Sequence, residues 1–108
     1  MSEPINAGDI YQATPASGKG REQHGQRPVL VVTDSRLTAM GLCWVVPLST
    51  TVRDWPTHHR LVINDRATYA MCEQLRAIST ERLGRKSAAI DHAQLAEVKQ
   101  VLRSILGR

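Results

Sequence analysis

The chain has no phenylalanine, and aromatic residues make up only 4% of its 108 positions. A core anchored on aromatics is therefore excluded, and the core must come mainly from Val, Leu, Ile, Ala and Met. A small core of that kind often gains stability by dimerising. Cysteine is scarce as well. Cys43 and Cys72 stand far apart in apolar, strand-like sequence; they lack metal-ligand spacing, and reduced, packed thiols are expected, as in cytosol. No apolar run approaches the roughly 20 residues of a membrane span, and the N-terminus lacks the apolar stretch of a signal peptide. The expected location is cytoplasmic, away from any membrane. Neither a zinc-like ligand cluster nor a Walker-type phosphate loop is present, so no metal or cofactor is expected. His58 and His59 are adjacent, and strand neighbours point to opposite faces, so they do not share a metal.

What is present suits a single domain over residues 1–108, with hydrophobic residues at 42%. The formal net charge is +4 and the isoelectric point about 9.6. Arginine dominates the basic residues. That balance favours an anionic partner, nucleic acid or an acidic protein; on charge alone, a merely soluble basic protein is the leading reading.

Along the chain, Asp9 to Ala13 alternates as a short strand. Thr14 to Gln26 holds Pro15, Gly18, Gly20 and Gly25 and almost no apolar residue, which predicts a long, mobile, functional loop. Arg27 to Thr33 is a β-branched run typical of a strand buried on both faces, with Pro28 at its start, where a missing amide donor is tolerated. Asp34 to Gly41 turns the chain, Leu42 to Pro47 is apolar strand, and Ser49 to Pro56 is a second, basic loop. His58 to Ile63 alternates as a strand, and Asn64-Asp65 marks a turn. Thr68 to Cys72 and Leu75 to Ser79 read as two strands, or as one bent at Glu73-Gln74. A helical turn fits Thr80 to Leu83. The clearest helix comes last: Asp91 is an N-cap with Gln94 three residues on, as in a capping box. Leu95, Val98, Leu102 and Ile105 recur at helical spacing, and Gly107 supplies the C-terminal cap. Short strands with one terminal helix predict a small, strongly bent antiparallel sheet or partial barrel.

Several motifs occur in a fixed order. Gly8-Asp9-Ile10-Tyr11 opens the first strand. Gly20-Arg21-Glu22-Gln23-His24-Gly25-Gln26-Arg27-Pro28 leads into the second. Pro47-Leu48-Ser49-Thr50-Thr51 closes the third, and Cys72-Glu73-Gln74-Leu75-Arg76-Ala77-Ile78-Ser79 is followed by Glu81-Arg82-Leu83. These resemble the G-D-[IVL]-[YW], G-S-E-Q-x-G-x-R-P, P-[LIVC]-T-[TS] and D/E-Q-[IV]-[RK]-[TS]-[IV] segments of the MazF/PemK/Kid family of bacterial toxin endoribonucleases. The resemblance covers almost the whole chain and implies a mainly β fold with a C-terminal α-helix, an SH3-like small barrel.

Arg27 is the first candidate for chemistry. A guanidinium gives a planar, doubly bonded anion contact, and with the resemblance it is expected to bind and stabilise the scissile phosphate; the plain alternative is a salt bridge to Glu22 or Glu73. Ser49 stands where the family has threonine. The hydroxyl survives and the methyl does not, so hydrogen bonding to phosphate remains; Thr50 or Thr51 can take the same role, and an ordinary serine/threonine turn is the plain reading. Glu73 matches an acidic position near the family's site, either as general base toward a ribose hydroxyl or as a group that simply orients Arg27 or caps a turn. Kid-type members carry an arginine where this chain has Met71, so that acid–base assignment does not transfer whole. Glu22, Gln26, Thr50, Thr51, Arg53 and Arg76 are the candidates for RNA contact, and Trp55 either stacks on a base or packs at a dimer interface or on the barrel rim. His24 reads as a solvated loop histidine.

The resemblance implies a toxin of a type II toxin–antitoxin system: a metal-independent endoribonuclease cutting single-stranded RNA by attack of the ribose 2′-hydroxyl. It implies a homodimer and an acidic, MazE-like antitoxin. The alternative on the same fold is a non-enzymatic, CcdB-like gyrase poison, against which the Arg27–Ser49 pair argues; a plain nucleic-acid-binding barrel is a third reading.

Overall fold

The computed structural model describes residues 4–14 and 26–107. Among them the elements follow as β1 (Asp9–Ala13), β2 (Arg27–Val31), the one-turn helix α1 (Ser35–Thr38), β3 (Leu42–Ser49), β4 (His58–Ile63), β5 (Arg66–Met71), β6 (Arg76–Ser79), β7 (Leu83–Ala89) and α2 (His92–Leu106). Single 3₁₀ turns, Cys72–Gln74 and Thr80–Arg82, flank β6. The strands run in the order β4-β5-β3-β2-β1-β7, with β6 beside the start of β3. The result is the bent antiparallel sheet and terminal helix that the sequence predicts, an SH3-like arrangement left open between β4 and β7.

The bend comes from β3, which serves three neighbours. Its first half, Leu42–Val45, pairs with β6. Its middle, Val45 to Pro47, pairs with β2. Its end, Leu48 and Ser49, pairs with β5. A flat strand cannot follow partners that change along its length, so the sheet folds over. Side chains alternate across it and fill two cores. Ile10, Leu30, Val46, Leu48, Leu61, Ala70 and Cys72 pack on one side with Val98 and Leu102 of α2. Tyr11, Ala13, Val29, Val31, Cys43 and Val45 pack on the other. Val29, Leu30 and Val31 are therefore all buried, the doubly covered strand expected from their β-branched run. Burial pushes both thiols up, Cys72 to about 11, so they behave as small apolar residues.

Local chemistry sets the ends of the elements. Gly8 has φ +99°, a conformation L side chains rarely adopt, and it lets the chain bond both Val31 and Ile90 as it enters β1. Asn64 and Asp65 both take positive φ, 52° and 66°, as a two-residue hairpin turn requires; β5 therefore starts at Arg66, two residues before the strand read from the sequence. The Asp34–Gly41 turn contains α1, whose cap Asp34 accepts from the Arg36 amide and pairs with its guanidinium at 2.9 Å. That contact holds the Asp34 carboxyl down at about 2.

Helix α2 is capped as expected: Asp91 accepts from the Gln94 amide at 2.9 Å, and Gly107 closes the far end in the left-handed region. The reciprocal half of the capping box is replaced. The Gln94 side chain instead reaches edge strand β4, accepting from the Val62 amide at 2.8 Å and donating to the Val62 carbonyl at 3.3 Å. His59 pairs with Glu97 at 2.9 Å beside it. Ile105, expected on the buried stripe, is 40% exposed. Strand β7 is absent from the sequence reading. It pairs with β1 through two register shifts and buries little, so its stability comes from backbone hydrogen bonds and from Lys86, 3.3 Å from the buried Asp9 carboxylate. No helix of the described residues is long and apolar enough to cross a membrane.

Candidate active site

Arg27 opens β2 and is exposed. The β2–β3 register places Val29 against Pro47; carried two residues further, it lays Arg27 opposite Ser49 on one face of the sheet. On the other edge of β3, Arg76 pairs with Val45, so its side chain shares that face. Arg27 and Arg76 accordingly line one groove of about 390 Å³, with Met71 and Gln74 on its lip and Val29 and Pro47 in its floor. Two guanidinium groups over an apolar floor suit an anion: each presents a planar fork of donors, and the floor limits solvent screening.

Ser49 and Thr50 lie at the end of β3 and line an adjoining cleft of about 550 Å³. The Ser49 Oγ accepts from the Thr51 amide at 3.0 Å. This is the serine/threonine turn expected as the plain reading, and it fixes the oxygen while leaving the hydroxyl proton as a donor. Leu48 lines both hollows, the groove on the Val29–Val45 face of the sheet and the cleft on the Ile10–Leu48 face; Ser49, the last residue of β3, is opposite Arg27 in register and also lines the cleft.

Glu73 is placed differently from the expectation that it works beside Arg27. Its carboxylate turns to the far side of the 3₁₀ turn. There Thr57 Oγ1 donates to Oε1 at 2.7 Å, and His58 Nε2 meets Oε2 at 2.9 Å. Burial alone raises the Glu73 pKa, and the Thr57 and His58 hydrogen bonds outweigh it, so the net shift is downward. The His58 side chain is 2% exposed, and its Nδ1 is buried without a hydrogen-bond partner. Its ring packs on Trp55, centroids 4.8 Å apart and tilted by 55°, and the Arg53 guanidinium lies 5.2 Å from the Trp55 ring centroid. The Arg53–Trp55–His58–Glu73 chain thus pins the loop after Ser49 to the 3₁₀ turn, and Trp55 keeps half its surface open.

Of the residues singled out from sequence, Arg27 and Arg76 come together, as do Ser49 and Thr50 next to them. Thr51 and Arg53 belong to the pinned loop. Gln26 lies over β7: a Cβ added to Gly84 would sit 3.2 Å from its amide nitrogen. Glu22 and His24 lie outside the described residues. The sequence reading missed the placement of Gln74 in the groove, although it sits in the same E-Q-L-R segment as Arg76. It also missed Gln12, Arg66 and Thr68 in the cleft; their signal is strand alternation, which puts them on the cleft-facing side only once the sheet is known to bend.

Known proteins share this sequence pattern and this fold. Residues 6–106 match the family described as PemK-like, MazF-like toxin of type II toxin-antitoxin system. Endoribonuclease MazF9 of Mycobacterium tuberculosis is 30% identical over 110 residues, covering 92% of this chain and 93% of that protein. The crystal structure of MazF from Deinococcus radiodurans superposes with a TM-score of 0.83 at 24% identity, covering 99% of this chain and 100% of that one. A MazE–MazF structure from the same organism gives 0.81 at 25% identity, covering 98% of each chain.

Proposed function

The chain belongs to the PemK-like, MazF-like toxin family of type II toxin–antitoxin systems, and from that membership we propose that it is a toxin that cuts single-stranded RNA. The observation that carries this reading is the two-arginine groove, with Ser49 opposite Arg27 in the β2–β3 register. A phosphodiester crossing the β2–β3 end has a planar cation on one side and a fixed hydroxyl donor on the other.

The ribose 2′-hydroxyl attacks the adjacent phosphorus, and the 5′-oxygen leaves. The RNA supplies its own nucleophile, so the protein aligns it and stabilises charge on phosphorus. Arg27 contacts the non-bridging oxygens, Arg76 adds to the local positive field, and Ser49 donates its hydroxyl proton to the phosphate. Glu73 is already committed to Thr57 and His58, and its lowered pKa makes it a poor proton acceptor. It fits the role of holding the loop that carries Thr50, Thr51 and Arg53 better than that of general base; the 2′-proton leaves to solvent, and solvent protonates the departing 5′-oxygen. Trp55 and Arg53 offer a stacking surface for a splayed base.

The protein works in the cytoplasm as a homodimer, and an acidic, MazE-like antitoxin segment silences it by filling the Arg27–Arg76 groove. The MazE–MazF structure from Deinococcus radiodurans supports such a partner. Nothing on this face favours a gyrase-poison reading, which needs no phosphate grip.

The test is incubation of purified protein with mixed single-stranded RNA and the matching DNA in excess EDTA. RNA fragments with 2′,3′-cyclic phosphate and 5′-hydroxyl ends, and intact DNA, are expected. Strict dependence on added magnesium overturns the mechanism, and intact RNA overturns the activity.

A further inference from the structure

The cleft beside Ser49 lies where the open sheet faces itself. The β4–β5 hairpin forms one wall and β1 with β7 the other. Its floor is apolar, with Ile10, Leu48 and Ile63. Its rim is polar and almost neutral: Gln12, Thr68 and Ser87 stand around it, and Asn64 with the single guanidinium of Arg66 projects from the hairpin turn. At about 550 Å³ it falls in the size range of small-molecule sites.

We propose that this cleft holds one nucleobase, a purine, from the nucleotide next to the scissile phosphate, and that Arg66 and Gln12 select it. The proposal rests on the RNA-cutting reading of the site at Arg27 and Ser49. Three occupants compete, and the lining decides among them. A phosphate needs more than one cation against an apolar floor, and the neighbouring two-arginine groove already supplies that. An aliphatic peptide side chain would strip water from five polar groups and give them no partner. A base has apolar faces for Ile10, Leu48 and Ile63 and an edge of donors and acceptors for the rim. A guanidinium spans the paired acceptors of guanine, and a side-chain amide matches the donor and acceptor of adenine. The position agrees as well. Ser49 stands opposite Arg27 in register and also lines this cleft, so a strand whose phosphate sits over Arg27 and Ser49 reaches the cleft with its next base by turning over the end of β3.

Two measurements test the proposal. In the first, the parent, Arg66→Gln and Gln12→Ala, each shown folded by circular dichroism, cut a random-sequence RNA pool whose new 5′ ends are sequenced. The parent should prefer a purine at one position flanking the cut. The variants should lose about ten-fold of that preference at that position alone. Unaltered preference in both variants, or an equal loss on every sequence, overturns the proposal. In the second, an RNA with 2′-deoxyribose at the cut site and 6-thioguanosine beside it is crosslinked by light, and the adduct is mapped. An adduct on β1 or the β4–β5 turn supports the cleft whether or not the parent cuts RNA, so failure of the nuclease reading stays separate. Adducts confined to other elements overturn it, as does a cleft protected by an acidic peptide but never labelled by the RNA.

Discussion

At the scale of single residues, Arg27 and Ser49 carry the strongest claim. Folded Arg27→Ala should lose about two to three powers of ten in RNA cleavage, the usual cost of removing one preorganised donor at developing charge. Arg27→Lys should recover little, because a point charge lacks the planar fork. Ser49→Ala should cost less, since Thr50 lines the same cleft, and Ser49→Thr should be tolerated. A folded Arg27→Ala that cuts at the parent rate moves the site elsewhere. Glu73 gives a separate prediction, on stability. Its pKa in the folded protein lies below the ordinary 4.5, so the folded state favours the ionised form. That contribution is fully present above about pH 4.5 and is lost as the pH falls through the folded value. Glu73→Gln should therefore be less stable than the parent near neutrality and converge on it in acid; parallel urea midpoints at pH 7 and pH 3 would sink the idea. The placement of Arg27 and Ser49 at strand ends was legible in the sequence, because Pro28 follows the one and Pro47 stands two residues before the other. The Thr57–His58–Glu73 contact was not, because it joins residues 15 and 16 positions apart across a turn whose direction no local pattern specifies.

Elements were legible in proportion to what they bury. Strand β4 begins and ends where alternation puts it, and α2 follows its apolar stripe from the Asp91 cap to Gly107. Strand β7 left no pattern, because an edge strand that packs only Leu83 and Ala88, near its two ends, against the cores has no continuous apolar face to announce it. Gln94 illustrates a signal with two meanings: three residues after an N-cap it reads as half of a capping box, yet its amide completes the ladder of β4. This distinction is measurable. Gln94→Ala removes two hydrogen bonds to the Val62 backbone and should destabilise the fold by about 1–3 kcal/mol, with faster amide exchange at Val62 than at the N-terminal turn of α2. If exchange rises only in that first turn, the side chain serves the helix and not the strand.

At the scale of the whole molecule, the aromatic-poor composition meets its consequence on the surface. One of the two tryptophans, Trp44, is 40% exposed, and Leu42, two residues away on the same face of β3, is 38% exposed; Leu37 and Met40 at α1 are 38% and 76% exposed. Apolar side chains gathered at one end of a small basic domain are a reason to expect a second copy there. Light scattering should give about twice the chain mass of 12.0 kDa. Trp44→Lys should shift the population toward monomer as the protein is diluted, because a charge in an apolar contact is left without a partner. A Trp44→Lys protein that stays dimeric on dilution places the contact on another face. A parent protein that is monomeric at working concentration and still cuts RNA at full rate removes the dimer from the account altogether, and with it the argument that this core needs a partner to be stable.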